Sequence, residues 1–372
     1  MTLHADDAHF LRLAFVRGVG SIAAHKLLSE LTDISGIFAA SNATLSRIVG
    51  DALARKISAI PDSDTQRKMD ESLAWLQCAP DHHLLTWAHP SYPKALLESG
   101  DAPLVIYAKG RIELLNRRAI AMVGSRNCSQ GGADTAEAFA QAFAERGLTV
   151  VSGMALGIDA ASHVGALRAR GGDSGSTIAV VGTGIDRVYP ARNKVLAHSI
   201  AELGLMLSEY PMGTPPLPAN FPKRNRIISG LSLGVLVVEA SMASGSLITA
   251  RLAGEQGREV FAIPGSIHST FHKGCHHLIK QGAKLVETAN DVLDELRFET
   301  AAPSTEVTAA NTVAFGLLKF IEHTPIDVDT LVARSSLPVD QIVTELTMLE
   351  IDGRIESLAG GRWQLRGQGS AA

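Results

Sequence analysis

A glycine-rich loop follows a short apolar run near the middle of the 372-residue chain. Residues 119–123 read AIAMV, and Gly124, Ser125, Arg126 and Asn127 come next, before a helical pattern begins. At a turn from strand to helix, backbone N–H groups and the positive end of the helix dipole favour an anion. The guanidinium of Arg126 can bind a phosphate with two parallel hydrogen bonds or stack on a base. The loop therefore predicts a phosphate-binding site.

The same loop lacks the residues that a nucleotide cofactor or a phosphoryl-transfer reaction needs. The spacing GxGxxG is absent, and no Asp or Glu ends the next apolar run to hold a ribose, so NAD is not expected. Neither GxxxxGKS nor GxxxxGKT occurs, and without that lysine phosphoryl transfer is not indicated. We expect no cofactor and no catalytic residue.

Two further apolar runs also lead into glycine. Gly153 comes after the run 148–151, and Gly184 comes after the run 177–181. Because open α/β sheets bind ligands at the carboxyl ends of their strands, three such loops allow backbone to approach one ligand along one edge. This arrangement suits a chain of phosphates. We interpret the nearby Asp159 as a helix cap rather than as a catalytic group.

Basic and aromatic residues occur together in the segment 220–232. Lys223, Arg224 and Arg226 supply three positive charges within four residues, close to Phe221. Cations that follow a backbone and a ring that stacks on a base are what sequence-tolerant binding of a single strand needs. In a duplex the bases already stack on each other, so the predicted ligand is single-stranded DNA. The alternative is that Phe221 lies in the core and that the charges form a solvated helix face.

Other polar residues near these loops could complete the site. Asn127, Asn225 and Glu239 could orient a ligand or fix the loops through hydrogen bonds. Small residues that offer hydrogen-bond donors follow the run 235–238, namely Ser244, Gly245 and Ser246. We expect a phosphate to lie there as well.

Histidine and cysteine residues cluster in two places without predicting a metal site. One group consists of His268, His272, Cys275, His276 and His277, and the other of Cys78, His82 and His83. Neutral imidazole and thiolate are good zinc ligands. The spacing within both groups is irregular, however, so we interpret them as structural loops and leave the function of the first group open.

The texture of residues 118–296 predicts the main fold. Short apolar runs alternate there with helical patterns, which is typical of βαβ units on a parallel sheet. The predicted strands are 119–123, 148–151, 177–181, 205–208, 235–238, 260–263 and 284–286. We therefore predict an α/β protein with a Rossmann-like, doubly wound and mostly parallel sheet.

Helical segments precede and follow this sheet. Residues 9–58 predict short helices that include a helix-hairpin-helix-like turn at Gly18 and Gly20, where backbone N–H groups could meet a phosphate or the glycines could only shape the turn. Three helical patterns and a hairpin near the C-terminus predict a winged helix. The predicted organisation is a helical domain 1–75, an extended Rossmann-like domain 76–298, a linker 299–309 and a winged helix domain 310–367, with residues 60–95 as a connector.

The composition limits the class of protein. The chain has 46% hydrophobic residues, but no apolar run spans a bilayer and the N-terminus does not have the pattern of a secretory signal, so a cytoplasmic protein is expected. Three widely spaced cysteines indicate reduced thiols. Because the net charge is −4, affinity for a nucleic acid must come from a local basic patch.

Five motifs in order resemble the DNA processing protein A family, also called Smf. They are GSR at 124–126, SGMAxGID at 152–159, GTGIDxxYP at 182–190, FPxRNRII at 221–228 and SGSxITA at 244–250. The resemblance implies a protein that binds and protects single-stranded DNA taken up in natural transformation, helps to load the RecA recombinase, and forms homodimers through the Rossmann domain.

The resemblance also implies functions for single residues. Arg126 would lie in the DNA pocket with the loops of Gly153 and Gly184. Phe221, Lys223, Arg224 and Arg226 would contact backbone and bases. The chain departs from the family pattern GxNxLIxxGA, since His276 stands in the place of its asparagine.

The predicted recognition helix of the winged domain is acidic. Residues 338–353 contain no Lys or Arg and carry four carboxylates, those of Asp340, Glu345, Glu350 and Asp352. Because these charges repel a phosphate backbone, we predict that this domain contacts protein rather than duplex DNA.

Two other functions were considered. Phosphoribohydrolases of the lysine-decarboxylase-like type also use GSR loops on a Rossmann sheet, but their PGGxGTxxE motif is absent from residues 238–246. A transcription factor led by the winged helix conflicts with its acidic helix. A DNA-binding mediator without catalytic activity is therefore the prediction, with a nucleotide-processing enzyme as the alternative.

Overall fold

The computed structural model describes residues 5–170, 176–298, 317, 321, 326–335, 337–351, 354–358 and 361–365. The chain divides into two compact units, Met1–Glu299 and Thr300–Ala372. The predicted division of the first unit at residue 75 stays a prediction, and the predicted linker 299–309 lies outside the described residues. No helix within the described ranges is both long and apolar enough to cross a membrane.

The first unit begins with a layer of short helices. These are α1 (Ala5–Phe15), α2 (Ser21–Leu31), α3 (Ile34–Ala39), α4 (Asn42–Val49), α5 (Asp51–Ser58) and α6 (Ser63–Cys78). At the predicted hairpin, the Ser21 hydroxyl at the start of α2 donates a hydrogen bond of 2.7 Å to the carboxylate of Asp101. A carboxylate of the chain itself therefore lies where the sequence suggested a phosphate.

A large sheet forms the centre of the first unit. Its strands are β1 (His82–Thr86), β2 (Val105–Gly110), β3 (Ala119–Val123), β4 (Thr149–Ser152), β5 (Thr177–Val181), β6 (Leu205–Ser208), β7 (Gly234–Val237), β8 (Glu259–Ala262) and β9 (Lys284–Leu285). Their order across the sheet is β1-β2-β6-β5-β4-β3-β7-β8-β9. From β6 to β9 in this order every pair of neighbours is parallel, whereas β2 pairs antiparallel with both β1 and β6. The predicted Rossmann-like, mostly parallel sheet is confirmed.

Helices cover both faces of this sheet. They are α7 (Lys94–Leu97), α8 (Gln130–Glu145), α9 (Ile158–Arg168), α10 (Lys194–Leu203), α11 (Asn220–Gly230), α12 (Ser246–Glu255), α13 (Lys273–Lys280) and α14 (Ala289–Glu295). Alternate residues of β3 show the two layers, because Met122 belongs to the same buried cluster as Phe143 of α8, while Ala121 belongs to the cluster that contains Ile227 of α11. A strand buried on both faces reads as a continuous apolar run, which is why the parallel strands were predictable.

Residues 60–95 are not the connector that the sequence suggested. They form α6, β1 and the start of α7. His82 begins β1 and is 7% exposed. Its ring stacks on Trp75 at 4.1 Å, and its Nδ1 lies 2.7 Å from the Trp75 carbonyl oxygen. His82 can therefore occupy a buried strand, since its ring stacks on an aromatic residue of α6 and its Nδ1 is hydrogen-bonded to a carbonyl of the same helix.

The second unit has the predicted winged helix fold. It contains β10 (Ile326–Asp327), α15 (Val328–Ser335), α16 (Val339–Ile351), β11 (Ile355–Leu358) and β12 (Arg362–Leu365). The strands form a sheet in the order β10-β12-β11. Leu331, Ile342 and Leu346 lie in its core. Most of the predicted helical segment 313–323 falls outside the described residues.

Candidate nucleic-acid interface

A groove with a cavity volume of about 550 Å³ lies at the carboxyl edge of the parallel strands. It collects most of the predicted DNA-binding residues, namely Gly124, Ser125, Arg126, Asn127, Phe221, Arg224, Asn225, Ser244, Gly245 and Ser246. Four of the predicted residues do not line it, namely Gly153, Gly184, Lys223 and Arg226. Residues that approach from separate loops of the chain therefore meet at the edge that the strand ends predicted.

Hydrogen bonds fix the loop after β3 against its neighbours. The Ser125 N–H donates to the Glu239 carbonyl at 2.7 Å, and the Ile158 N–H donates to the Ser125 carbonyl at 3.2 Å. Arg126 and Asn127 are exposed beyond these anchors. The Arg126 guanidinium carbon lies 5.8 Å from the centre of the Phe221 ring. A cation and an aromatic face thus meet on one wall of the groove.

A carboxylate of the protein occupies the start of α8, where the sequence suggested a phosphate. Glu239 is 2% exposed. It accepts hydrogen bonds from the Ser129 N–H at 2.9 Å and from the Ser129 hydroxyl at 2.6 Å. Ser129 in turn accepts from the Gly132 N–H at 2.9 Å. The anion at this helix N-terminus is therefore the chain's own, and Glu239 fixes the loop as one of its predicted functions.

The start of α12 forms another part of the groove. Ser244, Gly245 and Ser246 line the groove, and the hydroxyl oxygens of the two serines lie 2.7 Å apart. Gly245 precedes the first turn of this ten-residue helix without a side-chain cap. The N–H groups of Ser246, Leu247 and Ile248 already bond the Ser244 hydroxyl and the carbonyls of Ser244 and Gly245. This end of the groove therefore favours an anion through the positive end of the helix dipole and the two serine hydroxyls.

Arg224 forms part of the groove floor, and its guanidinium points into the sheet. The side chain is 4% exposed. Its Nη1 donates to the carbonyls of Gly153 and Val180, at the ends of β4 and β5. A Cβ at position 153 would lie 2.5 Å from that Nη1, so glycine is required there to make room for Arg224. The structure therefore gives Gly153 a reason that does not involve a ligand.

Asp159 is the carboxylate whose charge acts on Arg224 and, against the larger effect of burial, raises the pKa of this arginine. It is 7% exposed and accepts a hydrogen bond of 3.3 Å from the Ala155 N–H. Burial raises the pKa of Asp159, while the charge of Arg224 opposes the shift. Burial likewise lowers the pKa of Arg224 to about 10. The prediction that Asp159 caps α9 is wrong, because the residue lies within the first turn and bonds back to the loop at Ala155, while Gly157 holds the N-cap position.

The other two cations of the predicted basic segment lie outside the groove. Arg226 is 7% exposed, and its guanidinium contacts the carboxylates of Glu209 and Asp101. The side chain of Lys223 is 59% exposed, with its Nζ 3.6 Å from Glu209 Oε2. Both line a smaller cavity of about 190 Å³ between the helical layer and the sheet. The segment is therefore neither a continuous phosphate track nor a solvated helix face.

Gly184 lies in the loop after β5 and takes part in a turn. Its N–H donates to the Thr214 carbonyl at 3.0 Å, and its carbonyl accepts from the Arg187 N–H at 3.0 Å. A Cβ at this position would lie 2.5 Å from the Asp186 carboxylate. The residue shapes the loop rather than the groove wall.

Tyr189 lines the groove, although it was not predicted as a site residue. Its ring centre lies 5.5 Å from that of Phe221, and the two planes are tilted by 39°. Pro216, Pro218 and Pro222 complete this apolar side. The only sequence signal for Tyr189 was its place at the end of the motif GTGIDxxYP.

The histidine cluster holds a loop together. His276 Nε2 lies 3.0 Å from the Gly265 carbonyl oxygen, and His272 Nδ1 lies 3.2 Å from the Ser269 hydroxyl. Cys275 is buried, and burial raises the pKa of its thiol to about 11. No group of three or more His, Cys, Asp or Glu within the described residues is placed to hold a metal ion. His276 can donate to a carbonyl as an asparagine amide would.

Comparison with family models identifies two matching regions. Residues 83–297 match the family described as DNA recombination-mediator protein A. Residues 293–361 match the family described as the DprA winged helix domain.

Sequence relatives cover much of the chain. It is 42% identical to Protein Smf of Escherichia coli over 313 residues, which are 81% of this chain and 82% of that protein. It is 52% identical to DNA processing protein DprA of Streptococcus pneumoniae over 207 residues, which are 56% of this chain and 72% of that protein.

Two solved structures resemble the fold. The X-ray structure of DNA processing protein A from Streptococcus pneumoniae matches with a TM-score of 0.67 and 38% identity, covering 80% of this chain and all of that one. A structure that describes the single-stranded DNA binding mode of DNA processing protein A from Helicobacter pylori matches with a TM-score of 0.52 and 28% identity. That match covers 58% of this chain and 96% of the other.

Proposed function

The chain belongs to the DNA recombination-mediator protein A family, also called DprA or Smf, and from that premise we propose that it binds single-stranded DNA in the groove. The observation that carries the proposal is that groups attracting a phosphate and an aromatic ring line the same groove. Arg126 and the start of α12 offer positive potential, and Phe221 offers a ring within 5.8 Å of the Arg126 guanidinium. A strand with unpaired bases can use both features at once, whereas a duplex can use only the first.

We further propose that the bound strand is incoming DNA, which the protein protects and delivers to the RecA recombinase. The description of the family as a recombination mediator supports this step. A mediator must hold DNA without cleaving it. The groove fits that need, because Glu239 bonds Ser129 and Asp159 bonds Ala155, so neither carboxylate is free to act as a catalytic acid or base.

A homodimer is the assembly that we propose. An apolar cavity of about 660 Å³ lies between α12 and α13, lined by Leu247 and Leu278 among others. Met242 at its rim is 56% exposed. Exposed apolar surface of this kind favours contact with protein, and a second copy of the chain is the occupant that the family resemblance implies.

The alternative is a nucleotide-processing enzyme on the same sheet. Such an enzyme needs a carboxylate that is free to act beside the sugar. Incubation of the protein with nucleoside monophosphates separates the two functions, since release of free base would support the enzyme and contradict the mediator.

Replacing Arg126 with alanine is expected to weaken binding of labelled oligo-dT about tenfold or more, because a charge-assisted contact to phosphate is lost. The slope of log affinity against log salt should also fall by about 0.7, the change that one phosphate contact to a single strand contributes. Fluorescence anisotropy at two salt concentrations measures both quantities. Arg168→Ala is the matched control. It removes an exposed arginine at the C-terminal end of α9, whereas the N-terminal end of this helix contacts the loop that carries Arg126. If Arg126→Ala binds oligo-dT like the wild type, the proposed site is wrong.

The winged helix is expected to add nothing to affinity for duplex DNA. Asp340, Glu345 and Glu350 lie on α16. We therefore propose that this unit contacts a protein partner. Removal of residues 300–372 should leave duplex affinity within about twofold of that of the full chain in a titration at moderate salt. A marked drop in duplex affinity on truncation would contradict the proposal.

A further inference from the structure

The loop between β5 and α10 carries an aromatic residue, Tyr189, that lines the groove and is not buried in the core. Tyr189 is 46% exposed. Its ring lies 5.5 Å from that of Phe221 and is tilted by 39° to it, so the two rings are not stacked face to face. Exposing so much of an aromatic ring forgoes the stabilisation that its burial would give. The ring is therefore available to a ligand in the groove.

Several hydrogen bonds hold this segment, residues 182–194, which includes the first residue of α10 and which we name the Tyr189 loop. The side-chain amide of Asn193 donates to the Met154 carbonyl at 2.9 Å and to the Ala155 carbonyl at 3.2 Å. The Thr183 hydroxyl donates to the Arg187 carbonyl at 3.1 Å. The ring of Tyr189 thus projects from a loop that is tied down at both ends. A ring held in place loses little freedom when a base stacks on it.

The Tyr189 loop is also basic. Arg187, Arg192 and Lys194 are exposed on it. The described residues give none of the three cations an ion-pair partner. The one carboxylate of the loop, that of Asp186, accepts hydrogen bonds from the Gly213 N–H at 2.9 and 3.1 Å. Cations next to an exposed ring repeat, at the rim of the groove, the combination that Arg126 and Phe221 present within it.

We propose that the Tyr189 loop binds the nucleotides that follow the one in the groove. Tyr189 stacks on the next base, and Arg192 and Lys194 bind the phosphates beyond it. The proposal rests on the proposed function, because it extends the same DNA strand. It adds a second stacking residue and a direction in which the strand leaves the groove.

Substitutions at Tyr189 test the stacking step. Tyr189→Leu keeps an apolar side chain but removes the ring, and it is expected to weaken binding of oligo-dT about tenfold. Tyr189→Phe keeps the ring and should bind within about twofold of the wild type. The matched ligand is an abasic oligonucleotide of the same length, which keeps every phosphate. On that ligand the wild type and both variants should bind alike.

Substitutions of the cations test the path of the strand. Arg192→Ser and Lys194→Ser should each lower the slope of log affinity against log salt by about 0.7. Arg168→Ser changes the charge equally and should leave the slope unchanged.

Three results would overturn the inference. They are oligo-dT binding by Tyr189→Leu equal to that of the wild type, an equal loss on oligo-dT and abasic DNA, and unchanged salt slopes in both cation variants. If the wild type itself does not bind oligo-dT, the proposed function fails first. Wild-type binding together with any of the three results overturns only the placement of the strand on the Tyr189 loop.

Discussion

Replacing Arg224 with methionine is expected to lower the free energy of unfolding by about 3–5 kcal/mol, the range for breaking a buried charged network by removing one partner. The guanidinium is 4% exposed and bonds the carbonyls of Gly153 and Val180. Methionine fills much of the volume but leaves both carbonyls without this donor. It also leaves Asp159 without the positive charge that offsets the effect of burial on its carboxylate. Urea denaturation followed by circular dichroism measures the loss.

The pH dependence of that loss gives a second readout. Burial raises the pKa of Asp159 in the folded protein, so its charged form disfavours folding at neutral pH. Without Arg224 the pKa of Asp159 should rise further. The folded state then binds a proton that the unfolded state releases, so stability falls as pH rises through this interval. The Arg224→Met variant should therefore regain part of its lost stability as pH is lowered towards the ordinary pKa of aspartate.

Lys223→Met is the matched control for this substitution. It removes a cation from the same helix, but the side chain is 59% exposed and lies 3.6 Å from its partner Glu209. An exposed ion pair contributes about 0–1 kcal/mol, so stability should change little. If Arg224→Met keeps wild-type stability and loses only DNA affinity, Arg224 is a contact residue and not a brace of the sheet.

The basic segment 220–232 shows what a local sequence pattern can and cannot predict. The sequence placed Lys223, Arg224 and Arg226 near the strand ends, and the structure brings α11 to that edge. The partners of the two arginines come from distant parts of the chain, since Gly153 lies 71 positions before Arg224 and Asp101 lies 125 positions before Arg226. A count of local charges cannot reveal whether a guanidinium meets solvent or a carbonyl that a remote strand leaves open.

The strands show the same division between local and remote causes. Each predicted strand of the parallel part differs from the observed one by at most one residue at either end. Strands β3 to β7 are buried throughout, and burial on both faces makes such a run continuously apolar. Strand β1 begins with two histidines and went unpredicted, since its burial depends on Trp75 of α6. Tyr189 likewise belongs to no periodic pattern, and only the meeting of two loops places it beside Phe221.

Replacing Glu239 with alanine is expected to destabilise the protein by about 2–3 kcal/mol and to weaken oligo-dT binding as well. Two donors of Ser129 would lose their charged acceptor at the start of α8, just after the loop that carries Arg126. Glu239→Gln should lose about 1–2 kcal/mol, because the two Ser129 donors use different carboxylate oxygens and the amide puts an NH2 group in place of one of them. Chemical denaturation and anisotropy measure the two effects.

Gly132 provides the test of whether this contact fixes the loop. A Cβ at position 132 would lie 2.4 Å from the carboxyl carbon of Glu239, so Gly132→Ala should displace the carboxylate and destabilise the wild type. In the Glu239→Ala background the space is free, and alanine is better than glycine within a helix by about 0.5–1 kcal/mol. The substitution should then become neutral or stabilising, which gives the double-mutant cycle a coupling energy of opposite sign to the single effect. Additive losses would mean that the Glu239 carboxylate and the start of α8 act independently. The loop would then owe its position to the backbone bonds that Ser125 makes with Glu239 and Ile158.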